Sequence, residues 1–185
     1  FTRVSPDGEE GFPGNLTATV TYTVTPKSEL KVEMTATTDK PTLVNLAHHT
    51  YWNLAGSGDI LGHELKLFCD TYTPGDATLV PKGTIEPVAG TPFDFRHGET
   101  IGSRIAEVPS SGGHIPAEGR GYDHNWVLRG VPGELIDVAV IHDPVSGRVM
   151  RLRSTEPGVQ FYTAGDLSED VIGKGGVPYV KFAGF

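Results

Sequence analysis

An all-β fold, a large antiparallel twisted β-sandwich, is predicted by three features of this sequence. Apolar and polar residues alternate with a period of two, glycine and proline punctuate the chain with 24 and 14 copies, and no stretch has helical periodicity. Many short strands with Gly/Pro-rich connections are the signature of a sandwich or barrel.

The clearest strand is 16–25, LTATVTYTVT, in which Leu16, Ala18, Val20, Tyr22 and Val24 face one way and five threonines the other. Pro26-Lys27-Ser28 turns the chain. Leu30, Val32, Met34 and Ala36 then alternate with Lys31, Glu33 and Thr35, which predicts a hairpin. Further strands are expected at 42–47, 64–69, 125–128, 135–142 and 148–154, the last two joined by the turn Asp143-Pro144-Val145-Ser146-Gly147. Phe1-Thr2-Arg3-Val4 is also strand-like, and a short helical turn is expected near 100–105. With no repeat and no low-complexity linker, residues 1–185 are expected to form a single domain. Both ends look cut within a sandwich, which would leave strand edges for missing sequence or a partner chain to cover.

Composition narrows the function. Hydrophobic residues make up 37% and charged residues 21%, which is globular, and the net charge of −8 argues against nucleic acid or an anionic membrane as partner. The single cysteine, Cys69, rules out an internal disulfide and a thiolate cluster and fits a reducing, cytoplasmic setting. No long apolar run is present, so a soluble chain without membrane insertion is expected. The sequon Asn15-Leu16-Thr17 would matter only in a secreted protein.

Three segments carry chemistry. VNLAHHTYWNLAG, residues 44–56, sets His48 and His49 among aromatic and amide side chains without one charged residue. Histidine titrates near neutral pH and exchanges protons readily. Side chains alternate along a strand, so His49 and Tyr51 share one face and His48, Thr50 and Trp52 the other. A histidine beside a tyrosine hydroxyl and an aromatic wall suits a neutral polyhydroxylated ligand; the alternative is that these are core aromatics and hydrogen-bonded histidines. Adjacent histidines on a flat strand cannot both bind one ion, so no metal site is expected there. GYDHNW, residues 121–126, adds Asp123, either a hydroxyl acceptor or a turn cap. EPGVQFYT, residues 156–163, adds Gln160, whose amide among apolar neighbours needs a partner.

In their order along the chain these segments, with FPGNL (12–16), TPFDFR (91–96), IGSRI (101–105) and GKGG (173–176), resemble the aldose 1-epimerases, the galactose mutarotase family. The resemblance implies the galactose mutarotase-like supersandwich, here its central and later part. It implies interconversion of the α and β anomers of a free hexose, glucose or galactose, by acid–base ring opening and reclosure without cofactor or metal. It makes His49 the catalytic acid, with His49, Tyr51, Asp123 and Gln160 binding the sugar. His48 stands where the family often has Asn. PFDFR and GKGG are expected to be structural. The family's general base, a glutamate a few residues beyond an A-G-F segment, would follow Ala183-Gly184-Phe185, and neither Glu156 nor Glu169 matches its motif. The chain alone is therefore expected to be a poor catalyst. The alternative is a non-catalytic sugar-binding or scaffolding member of the fold within a larger assembly. A hexose-6-phosphate epimerase would need a cationic pocket, and no Arg/Lys cluster flanks His49 or Asp123.

Overall fold

The computed structural model describes residues 1–76, 80–109, 121–131, 133–167 and 170–185. With one exception the expected strands form, and all the sheets are antiparallel. The chain divides into two compact units, Phe1–Thr50 and Tyr51–Phe185.

The first unit is a three-stranded sheet, β1 (Thr2–Ser5), β2 (Leu16–Val24) and β3 (Leu30–Thr38), in that order. The hairpin register is the one period two requires. Ala18 faces Ala36, Val20 faces Met34 and Tyr22 faces Val32, while Thr17 meets Thr37 and Thr19 meets Thr35 on the other face. A polar clip ties the chain around the sheet's end: Asn15 donates its side-chain amide to Asp39 at 2.7 Å, and Lys40 pairs with Asp7 at 2.5 Å.

One expected strand is absent. Residues 41–53 have no regular secondary structure, so 42–47 is not a strand and alternation cannot relate His49 to Tyr51. The β-branched and apolar side chains of TLVNLA read as strand, but a strand exists only where a neighbour completes its ladder.

The second unit holds two four-stranded sheets. One has the order β10-β9-β4-β7, from β4 (Glu64–Leu67), β7 (Glu99–Thr100), β9 (Ile136–His142) and β10 (Val149–Ser154). The other has the order β11-β8-β5-β6, from β5 (Thr71–Thr73), β6 (Glu86–Pro87), β8 (Asp123–Val127) and β11 (Gly158–Tyr162). Leu65, Leu67, Val138 and Ile141 of the first sheet share one buried core with Tyr72, Trp126 and Phe161 of the second, which makes this unit a sandwich. The β9–β10 turn is built as its residues suggest: Asp143 caps the amides of Val145 and Ser146, and Gly147 takes a φ of 71°.

The TPFDFR segment feeds that core. Phe93 and Phe95 are buried against Tyr122 and Trp126, whose polar tips reach the carbonyls of Pro92 and Phe93 at 3.0 and 3.1 Å. Ile101–Glu107 is a 3-10 turn, close to the helical turn expected at 100–105. From it Arg104 of IGSRI binds the carbonyls of Thr91 and Asp94 and lies over the Phe95 ring. GKGG is a turn as well, with Gly175 and Gly176 at positive φ. TPFDFR is thus part of the core, and GKGG forms an exposed turn.

Candidate active site

The second sheet of the sandwich presents its outer face through three neighbouring strands. Tyr122 just before β8 and His124 and Trp126 within it are buried in the core, which leaves Asp123 and Asn125 on the outer side. On β11, Phe161 is buried and Gln160 and Tyr162 are outward. β5 adds Thr73, opposite Asn125.

These side chains bind one another. Gln160 donates its amide to Asp123 Oδ1 at 2.7 Å, and Asn125 donates to Thr73 Oγ1 at 3.1 Å. Asp123 Oδ2 accepts no hydrogen bond among the described residues. Asp123 is the first residue of β8 and sits opposite Tyr162, so it is a strand residue and not a turn cap. The Tyr162 hydroxyl donates to Asp166, and its ring centroid lies 5.6 Å from that of Tyr51, tilted by 42°.

Tyr51 is anchored through its neighbours. Trp52 exchanges both backbone hydrogen bonds with Phe185, at 2.7 and 2.9 Å, and Asn53 donates its amide to the Ala183 carbonyl at 3.0 Å. The Ala183-Gly184-Phe185 segment thus runs beside the start of the unit. Gly184 leaves room there: a Cβ would lie 3.0 Å from the Tyr51 Cβ, tighter than an ordinary contact.

Three of the four residues expected to bind sugar, Tyr51, Asp123 and Gln160, therefore gather around one outer face. His49 belongs to the first unit, where it is exposed in the irregular segment, and His48 accepts or donates one hydrogen bond with Thr50 at 2.7 Å and packs its ring on Tyr22. Asn125, Thr73, Tyr162 and Asp166 were not singled out from the sequence. Alternation in VQFY places Tyr162 with Gln160, and alternation in DHNW places Asn125 with Asp123; for Thr73 and Asp166 no sequence signal exists.

Beneath the face, His124 is buried and its Nδ1 accepts the Asp123 backbone N–H at 3.1 Å. Loss of water around the ring lowers its pKa, only partly opposed by the Asp123 charge. Burial also pushes the Cys69 thiol up to about 11, so it stays protonated and is no nucleophile. Among the described residues no three His, Cys, Asp or Glu side chains are grouped to hold a metal ion. Glu156 is exposed after β10, and Glu169 lies outside the described residues.

The sequence family model described as aldose 1-epimerase matches residues 1–185, the full chain. The chain belongs to the aldose 1-epimerase family. It is 44% identical to the galactose mutarotase of Rattus norvegicus and 43% identical to that of Homo sapiens over 187 residues, covering all of this chain and 52% of each relative. The aldose 1-epimerase of Escherichia coli K12 is 33% identical over 185 residues, again with 52% of its length covered. The chain thus spans about half the length of these relatives. Among solved structures, an aldose epimerase homologue from C. elegans superposes with a TM-score of 0.80 at 26% identity, covering all of this chain and 53% of that one. Galactose 1-epimerase from Lactobacillus acidophilus gives 0.79 at 27% identity, covering 99% and 51%. The mutarotase-like all-β sandwich expected from the sequence is therefore the fold of this aldose 1-epimerase family member.

Proposed function

We propose that the protein containing this chain interconverts the α and β anomers of free hexoses such as galactose and glucose. The observation that carries the reading is the outer face of β8 and β11, where the Asp123–Gln160 pair stands beside the Tyr162 and Tyr51 rings. A carboxylate with an open oxygen and an amide accept and donate to hydroxyls, while tyrosine rings take the C–H face of a pyranose. The outward positions 73, 123, 125, 160 and 162 carry no Lys or Arg, which favours a neutral sugar over a phosphorylated one.

In the proposed reaction His49 protonates the ring oxygen as a base removes the proton from the C1 hydroxyl. The C1–O5 bond breaks, the aldehyde turns about C1–C2, and reclosure on the other face returns both protons. The family resemblance is the ground for His49, and it puts the base a few residues beyond Ala183-Gly184-Phe185. Losing one partner of an acid–base pair costs about 10²–10⁴-fold, which is the basis for expecting little activity from residues 1–185 alone. No cofactor enters this scheme. We place the protein in the cytoplasm, a reading supported by its single buried cysteine. No helix among the described residues is long and apolar enough to cross a membrane. The outer strands β10, β7, β11 and β6 are the edges that further sequence or a partner chain would cover.

Polarimetry tests the reading. Full-length protein should accelerate the mutarotation of freshly dissolved α-galactose or α-glucose, and His49→Ala should remove most of that acceleration. An unchanged spontaneous rate with full-length protein defeats it.

A further inference from the structure

Tyr162 and Asp166 are held together by a turn whose backbone is unusual. Immediately after β11, Ala164 adopts a φ of 53° although it is not glycine, and it is fully buried. Left-handed backbone costs a non-glycine residue of order 1 kcal/mol and persists only where its surroundings enforce it. Here the Ala164 carbonyl accepts the N–H of Phe182 at 3.0 Å and of Leu167 at 3.4 Å. The turn so fixed carries the Asp166 carboxylate back onto the hydroxyl of Tyr162, four residues earlier. Both residues reach solvent, so the pair does not fill the core. Among the described residues Asp166 has no other partner.

The ring thus oriented is opposite Asp123 in the strand register and 5.6 Å from the Tyr51 ring. A tyrosine at a strand's end would otherwise rotate freely about χ1 and χ2. We infer that Tyr162 is a specificity-determining sugar contact and that Asp166 is the positioning residue that orients it. Tyr162 and Tyr51 form the apolar wall on which the C–H face of a neutral pyranose rests, with Asp123 and Gln160 at its hydroxyl edge. The inference rests on the proposed function for its substrate, while its geometry involves only Tyr51, Asp123, Gln160, Tyr162 and Asp166. The Asp166 carboxylate adds a negative charge beside this face and further disfavours anionic sugars.

The test uses full-length protein carrying Tyr162→Phe, Asp166→Ala, or both, with polarimetric kinetics and calorimetric titration of galactose. Each single variant should raise KM and the dissociation constant about five- to tenfold, with kcat falling less than KM rises. The double variant should be no weaker than the worse single one, because both changes release the same ring. Melting temperatures should stay within about 3 °C of the parent, as expected for exposed groups. Unchanged affinity in both variants overturns the inference, as do effects that multiply in the double variant or a loss confined to kcat. If the parent binds galactose without accelerating mutarotation, the proposed catalytic function fails, and the calorimetric comparison still decides the role of Asp166.

Discussion

Gln160 on β11 donates its side-chain amide to Asp123 on β8 at 2.7 Å, although the two residues are not direct cross-strand partners. In the register Gln160 faces Asn125 and Asp123 faces Tyr162, so the hydrogen bond runs diagonally across the ladder. Diagonal neighbours are about 7–8 Å apart, within reach of a long side chain such as Gln. The bond uses one carboxylate oxygen and leaves the other without a hydrogen bond among the described residues.

Asp123→Asn keeps an acceptor for Gln160 and removes the charge. It should lower the kcat/KM for galactose of the full-length protein by roughly 10–100-fold, the value of a hydrogen bond to a charged group. Gln160→Ala removes a donor and frees the carboxylate, and should cost less, about 3–10-fold. Polarimetry on both variants checks the order. Full activity in Asp123→Asn would remove this carboxylate from the site.

Gly158 makes room for the other half of the polar face. A Cβ at this position would lie 2.3 Å from Asn125 Oδ1, so Gly158→Ala must push the amide away from Thr73. Because the displaced group is the end of an outward side chain, the loss is that of its hydrogen bond to Thr73, about 0.5–1.5 kcal/mol. Urea denaturation should show that loss for Gly158→Ala. Adding Asn125→Ala to it should add little to the loss, because the same hydrogen bond is already gone. Additive losses would place the strain elsewhere.

Legibility in the sequence followed the physics of each element. The β2–β3 hairpin was readable because one face is apolar and the other is threonine, and the register must respect both. β5, β6 and β7 have three, two and two residues and were invisible, since strands that short carry no period. The 42–47 segment misled because strand propensity describes a side chain's fit to a pleated surface, and no such surface is built there. Asp123 was singled out as an acceptor or a turn cap and Gln160 as an amide in need of a partner, and the structure pairs the two. The role of Asp166 was not legible, because it depends on the left-handed turn at Ala164.

Two buried histidines set an acid limit on stability. His63 accepts the Leu54 N–H at Nε2, 3.1 Å away, and His124 accepts the Asp123 N–H at Nδ1. For both, burial is the main cause of a pKa below the ordinary 6.5. Below pH 6.5 the unfolded chain therefore takes up protons that the folded chain refuses. The stabilisation is fully present above that pH and is lost as pH falls toward the folded-state values, by up to about 1.4 kcal/mol per pH unit for each histidine. Urea midpoints at pH 7.5, 6.5 and 5.5 should decline across the last interval. His63→Gln and His124→Asn place a neutral acceptor near the same position, and each should flatten that decline. Variants whose midpoints fall in parallel with the parent would show that other groups set the limit.

Arg104 should matter more to stability than any exposed cation of the second unit. It sits partly buried, binds the carbonyls of Thr91 and Asp94 at 3.0 and 2.5 Å, and lies 5.6 Å over the Phe95 ring, fastening the aromatic TPFDFR loop into the core. Arg104→Ala leaves the Asp94 carbonyl unpaired and the Thr91 carbonyl with the Asp94 N–H alone, and should cost about 1–3 kcal/mol. Arg104→Lys retains the charge but cannot span two carbonyls while stacking its head on the ring, so it should recover less than half of the loss. The comparison is Arg153→Ala, which breaks an exposed pair with Asp137 at 3.3 Å and should cost under about 1 kcal/mol. Thermal denaturation of the three variants ranks them, and an Arg104→Ala protein as stable as Arg153→Ala would show that the loop holds to the core without its arginine.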